Sequence, residues 1–229
     1  FMRQIQDRYF LIVLVLAFLA IGLMRLQFPD LDHGDEYSDA NVLNAGENFV
    51  RFGFIACRFL PMFEVHLDKP QDLYTHYPPL PDILNGVQRR LFRTDSLVVF
   101  RGVSLIFSLL ALFFWFYAVK ILTGSPVFGF LASFFFLFNP LFLFGIDSLH
   151  QFAYAECLRA LIFYLFARYV TSPERRGLRF GLLWLAIFVE SLFTFEYIIY
   201  FALFFFLYRL AFRESGRALP LKAMFLLAL

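Results

Sequence analysis

Long uncharged runs, each closed by an arginine or lysine, constrain this chain more than any other feature. Sixteen uncharged residues, Tyr9 to Met24, lie between Arg8 and Arg25, and eighteen, Gly102 to Val119, lie between Arg101 and Lys120. Val127 to Ile146 adds twenty more. A water-soluble core does not require this. Apolar residues make up 61% of the chain, with 36 phenylalanines and a mean hydropathy of +0.70, whereas soluble domains hold roughly 45–50%. Only helices and closed barrels satisfy every backbone group inside lipid, and runs of this length suit helices. The sequence therefore predicts an all-α polytopic membrane protein.

The first run measures about 24 Å at 1.5 Å per residue, so Arg8 and Arg25 are expected to snorkel to complete a crossing. It has no small-residue cleavage site and passes straight into Arg25, which reads as an anchor rather than a signal peptide. With its basic N-terminus inside, the next segment lies outside. Gly102 to Val119 then returns inward, Thr123 to Pro126 turns, and Val127 to Ile146 goes out again. Asp147 to His150 forms a short outer loop, a fourth span runs from about Gln151 to Tyr169, and Pro173 to Arg179 is a basic inner loop. Phe180 to Tyr208 is too long for one span and carries Glu190 and Glu196. It is expected to be a hairpin broken near Thr194, with both glutamates at the outer surface. A further span begins near Pro220. The chain opens on Phe1 and stops within an apolar run, so it is expected to be an N-terminal part of something longer, 1–229 forming a single transmembrane module.

The outer segment, 26–95, is a polar island. It holds eleven of the eighteen acids and three of the four histidines, His33, His66 and His76. Two interfacial helices are predicted within it. One, near 38–52, is capped by Ser38 or Asp39 and ends at Gly53. The other, near 80–93, places Leu80, Ile83, Leu84, Val87 and Leu91 on one face, has Pro81 in its first turn, and ends on Arg89, Arg90 and Arg93. The net charge of +2 includes no basic tract, so no nucleic-acid partner is expected. Cys57 and Cys157 do not make a disulfide framework, and Cys157 reads as a packing residue.

An inside-starting helix leads to Asp35-Glu36, then to a helix and to Tyr74-Thr75-His76-Tyr77-Pro78-Pro79-Leu80. This order resembles the GT-C glycosyltransferases, and is similar in particular to bacterial relatives of the protein O-mannosyltransferases and lipid A aminoarabinose transferases. The resemblance covers roughly Met2 to Arg217. It implies a polyprenyl-phosphate-linked sugar donor, a lipid, glycan or protein acceptor, surrounding membrane lipids, and a site facing outward from a bacterial inner membrane. It places the catalytic carboxylate at Asp35, with Glu36 beside it, and a basic residue near His76. Tyr77 stands between that histidine and Pro78. Thr75 stands where the aminoarabinose enzymes carry a glutamate, so a metal ligand of those relatives has no counterpart there.

The implied chemistry is inverting transfer to a hydroxyl. A phosphate leaving group needs positive charge or hydrogen-bond donors rather than a general acid, whereas the acceptor hydroxyl needs a base. Asp35 is the expected base. His76, Tyr74, Arg58, Arg89 and Arg90 are expected on the phosphate side, and Glu156 and His150 are cavity candidates. Each has a plainer alternative. Asp35 and Glu36 could be solvated helix-start acids, His76 could pack on the prolines, the arginines could face lipid headgroups, and Glu156 could simply pair with Arg159. No metal site is assigned. His33 with Asp32 leaves a divalent ion open, although such neighbours in an acidic loop are usually solvated. Two other functions share this architecture: a flippase for lipid-linked sugars and a non-catalytic assembly subunit.

Overall fold

The computed structural model describes residues 2–27, 36–64, 68–70, 73–171, 176–194 and 197–211. The described elements are all helices: α1 (Met2–Leu26), α2 (Glu36–Phe52), α3 (Leu80–Phe92), α4 (Leu97–Thr123), α5 (Pro126–Leu137), α6 (Pro140–Gly145), α7 (Phe152–Thr171), α8 (Arg176–Ser191) and α9 (Tyr197–Ala211). Two segments, Gln6–Leu26 and Leu97–Thr123, are long and apolar enough to cross a membrane. The expected third span is not one helix. Its run breaks at Phe138, and Asn139 caps a separate short helix by accepting from the Leu141 N–H at 2.8 Å. Pro140 has no N–H to continue α5, so Asn-Pro divides the run. The twelve residues of α5 span about 18 Å.

Helix α4 is the central post, packed most extensively on α7 and α5. Ring contacts set the directions. Phe107 meets Tyr154, and Trp115 meets Phe163, so α4 and α7 run parallel. Phe10 stacks on Phe130 near one end and Arg25 donates to the Phe144 carbonyl near the other, so α1 and 126–145 run parallel. Asp7 pairs with Lys120 at one end of α1 and α4, while Arg25 and Arg101 meet at the other. The turn after α4 closes on Gly124 (φ +73°), a left-handed position that glycine adopts without a Cβ penalty.

Phe180 to Tyr208 is broken as expected, α8 ending at Ser191 and α9 starting at Tyr197. Phe201 and Phe205 share a buried cluster with Leu183 and Ile187, and Phe166 meets Tyr208, so α9 folds back beside α7 and α8. Glu190 lies in the last turn of α8, at the broken end of the hairpin, and is fully buried there, with Oε1 3.8 Å from Arg159 Nε. Arg159, Glu156 and Glu190 form one cluster inside the bundle, where a lone carboxylate would be costly. Glu196 and the span expected from Pro220 lie outside the described residues.

Helices α2 and α3 lie side by side and parallel. Their close approach rests on two glycines: a Cβ on Gly46 would sit 2.0 Å from Asn85 Oδ1, and one on Gly86 would sit 2.9 Å from Phe49 Cβ. The pair has its polar face inward. Asp82, Asn85 and Gln88 are buried, while Val87 is 45% and Leu91 70% exposed. Gln88 donates to the Tyr154 hydroxyl at 3.1 Å, which ties this polar face to α7.

Candidate functional site

The loop 146–151 is fixed by two carboxylates. Asp147 accepts from Arg25 Nη2 at 2.6 Å and Nε at 3.0 Å, and its other oxygen lies 3.8 Å from Arg101 Nε. Both arginines close uncharged runs in the sequence, and Arg25 is expected to snorkel toward the membrane surface. They turn instead to one buried acid, because a carboxylate so placed must be compensated. Asp39 holds the next three residues, accepting from Ser148 Oγ (2.9 Å), the Leu149 N–H (2.9 Å) and the His150 N–H (3.2 Å). It lies within α2, which starts at Glu36, so it does not cap that helix as expected. Burial pushes its carboxyl up to about 6, against the opposing pull of these hydrogen bonds.

Held this way, His150 and Gln151 border a cavity of about 190 Å³. Ser38 and Asn41 of α2 form a second side, Tyr74 and Tyr77 a third, and Asp82 of α3 a fourth. Asn48 positions the aromatic side by donating to the Met62 carbonyl (2.7 Å) and the Glu64 carbonyl (2.8 Å). The Tyr74 N–H donates to the Pro61 carbonyl at 2.8 Å, and the Tyr74 ring packs on Phe63.

Asp82 is the distinctive group. It is 5% exposed, and its Oδ1 has no hydrogen-bond partner among the described residues; Gln151 Oε1 is in the same condition. Burial pushes the Asp82 carboxyl up to about 7, its own backbone N–H opposing only in part. A carboxyl there is neutral in mild acid and ionised in mild base, which suits accepting a proton or a hydrogen bond near neutrality.

Of the sequence-predicted residues, Tyr74 and His150 border this cavity. Asp35 lies outside the described residues, and Glu36 is described only as the first residue of α2. His76 is exposed and stacks on Tyr74 but does not line the cavity. Arg58 is exposed in the 54–59 turn at φ +55°. Arg89 and Arg90 lie about two turns along α3 from Asp82, about 11–12 Å, and line a different groove. Geometry thus removes Arg58, Arg89 and Arg90 from the cavity. Glu156 pairs with Arg159, the plainer of its two readings.

Asp82, Asn41 and Gln151 were missed. The available signal for Asp82 was its place on the polar face of a one-sided helix, where a first-turn acid also reads as a favourable partner for the helix dipole. Among the described residues no three His, Cys, Asp or Glu side chains gather as a metal site; His33 and Asp32 lie outside them. No known protein family, curated protein or solved structure matches the chain.

Proposed function

We propose that the chain is the membrane module of a GT-C-like glycosyltransferase, taking a sugar from a polyprenyl-phosphate donor at the cavity beside Asp82. The observation that carries the reading is that cavity: a buried carboxylate with one unpartnered oxygen, beside two amides and three tyrosines. Aromatic faces pack on the apolar faces of sugar rings, while carboxylates and amides pair with hydroxyls. Its volume of about 190 Å³ is below the roughly 300–1,000 Å³ of drug-sized sites, which suits a single ring. Membrane embedding is supported by outward apolar faces, with Leu16 of α1, Phe135 of α5 and Ile199 of α9 each more than 60% exposed.

In this mechanism the acceptor hydroxyl loses its proton to a carboxylate and attacks the anomeric carbon. The sugar–phosphate bond breaks on the opposite face, and the polyprenyl phosphate leaves with the electron pair. Asp35 is the base implied by resemblance, two residues before cavity-lining Tyr37. Asp82 receives a hydroxyl of the bound sugar or acceptor. The test is label transfer from a panel of polyprenyl-phosphate sugars by reconstituted protein. Asp35→Asn is expected to lower it about 10²–10⁴-fold. No transfer by the unaltered protein from any donor tested would count against the enzyme reading.

The Arg159–Glu156–Glu190 cluster favours a second reading, a flippase for lipid-linked sugars, since buried charges within spans mark transport paths. Donor movement across vesicles without sugar transfer would select it.

A further inference from the structure

The far end of α3 carries a different chemistry. Arg51 of α2 and Arg89, Arg90 and Arg93 line a groove of about 530 Å³ with Glu47 and Asp95. Four cations face two carboxylates, and Asp95 is already taken by Arg89, which also donates to Asn85. Arg51 lies over the Phe52 ring at 5.1 Å and Arg90 over the Phe54 ring at 5.2 Å. Such contacts fix the guanidinium directions while leaving their N–H groups able to bind an anion.

Arg90 is shared with a second groove of about 760 Å³, and the remainder of that groove is apolar, walled by Phe54, Ile55, Phe59, Ile83 and Val87. Its rim is open: Ile55 is 83% and Phe59 50% exposed. The turn that presents Phe59 holds both Arg58 (φ +55°) and Phe59 (φ +58°) in the left-handed region, which costs free energy for residues with a Cβ. A free phosphate would satisfy the arginines and leave this wall in water. A neutral lipid would cover the wall and leave the arginines uncompensated. One molecule with an anionic phosphate and an attached hydrocarbon chain satisfies both.

We propose that the two grooves bind one acidic phospholipid, its phosphate on Arg51, Arg90 and Arg93 and an acyl chain along Phe54, Ile55 and Phe59. The phosphate lies about 12–16 Å along α3 from Asp82, too far to present a sugar to the cavity. The bound lipid therefore positions the α2–α3 pair at the membrane surface and is not the donor. The inference rests on the membrane part of the reading above and not on the transferase part.

Native mass spectrometry of the purified protein with phosphatidylglycerol or phosphatidylcholine tests it. Phosphatidylglycerol is expected to remain as one molecule under delipidation that strips phosphatidylcholine, and to be lost as ionic strength rises. Combined Arg51→Gln, Arg90→Gln and Arg93→Gln should weaken retention roughly 100-fold, at about one surface arginine's worth of lipid attraction each. Ile55→Glu, at an exposed position, should also release the lipid without unfolding the protein. Equal retention of the two lipids, or unchanged retention in either variant, overturns the proposal. Displacement of the lipid by millimolar inorganic phosphate would make this a free-anion site and overturn it too. Carbonate extraction separates the membrane question, since release of the protein from membranes would defeat the embedding itself.

Discussion

Asp39 and Asp82 lie at the same end of the bundle, both buried, yet they are used in opposite ways. Asp39 accepts three hydrogen bonds from Ser148, Leu149 and His150, and with Asp147 it fixes the loop that forms one side of the cavity. Asp82 has the raised carboxyl without that compensation, its Oδ1 facing no partner among the described residues. A buried polar group that is satisfied reads as architecture. One left unsatisfied beside a cavity is free to meet a ligand. The comparison separates the part of this end that holds shape from the part that can do chemistry.

The largest effect should come from the anchored side. Asp147→Ala leaves Arg25 and Arg101 without their shared carboxylate, and should cost about 3–5 kcal/mol, read as loss of monodisperse protein on size-exclusion chromatography. Asp39→Ala should cost about 2–4 kcal/mol, since two backbone N–H groups and a hydroxyl lose a charged acceptor; a thermal-shift series in detergent reads this.

Asp82 should behave in the reverse sense. Its folded-state carboxyl near 7 lies above the ordinary value of 3.8, so the folded state binds the proton more tightly than the unfolded chain. That contribution to stability is full below the ordinary value and is lost as pH rises toward 7. Asp82→Asn removes the loss and should stabilise the protein at pH 8 by about 1 kcal/mol or more, read as a higher Tm than that of the unaltered protein, with no such gain at pH 4. A variant destabilised equally at both pH values would place Asp82 with Asp39, as a structural acid, and erase the distinction.

Much of the local structure was legible in the sequence. The bounds of α2 and α3, the glycine turn at Gly124 and the break between α8 and α9 follow from apolar spacing, turn residues and the cost of glutamates in a long apolar run. Pairings across the bundle were not legible. Arg25 and Arg101 close their runs as headgroup-facing residues would, and nothing local reveals that they converge on Asp147, 122 residues beyond Arg25. The inward polar face of α3 was half legible, because periodicity finds the two faces but not which one the protein covers. Asp35 and Glu36 were chosen from a motif, whereas Asp82 emerges only when α2, α3 and the 146–151 loop are assembled.

Transfer by Asp82→Asn tests the central claim most directly, because this substitution keeps the shape of the cavity and removes only the carboxylate. Sugar transfer from polyprenyl-phosphate donors, followed from pH 5.5 to 8.5 for both proteins, should rise through about pH 7 in the unaltered protein. In Asp82→Asn it should fall on the order of 10-fold and lose that rise, because a neutral amide accepts a weaker hydrogen bond from the bound hydroxyl than the carboxylate does. Full transfer by Asp82→Asn with an unchanged pH profile would contradict the account.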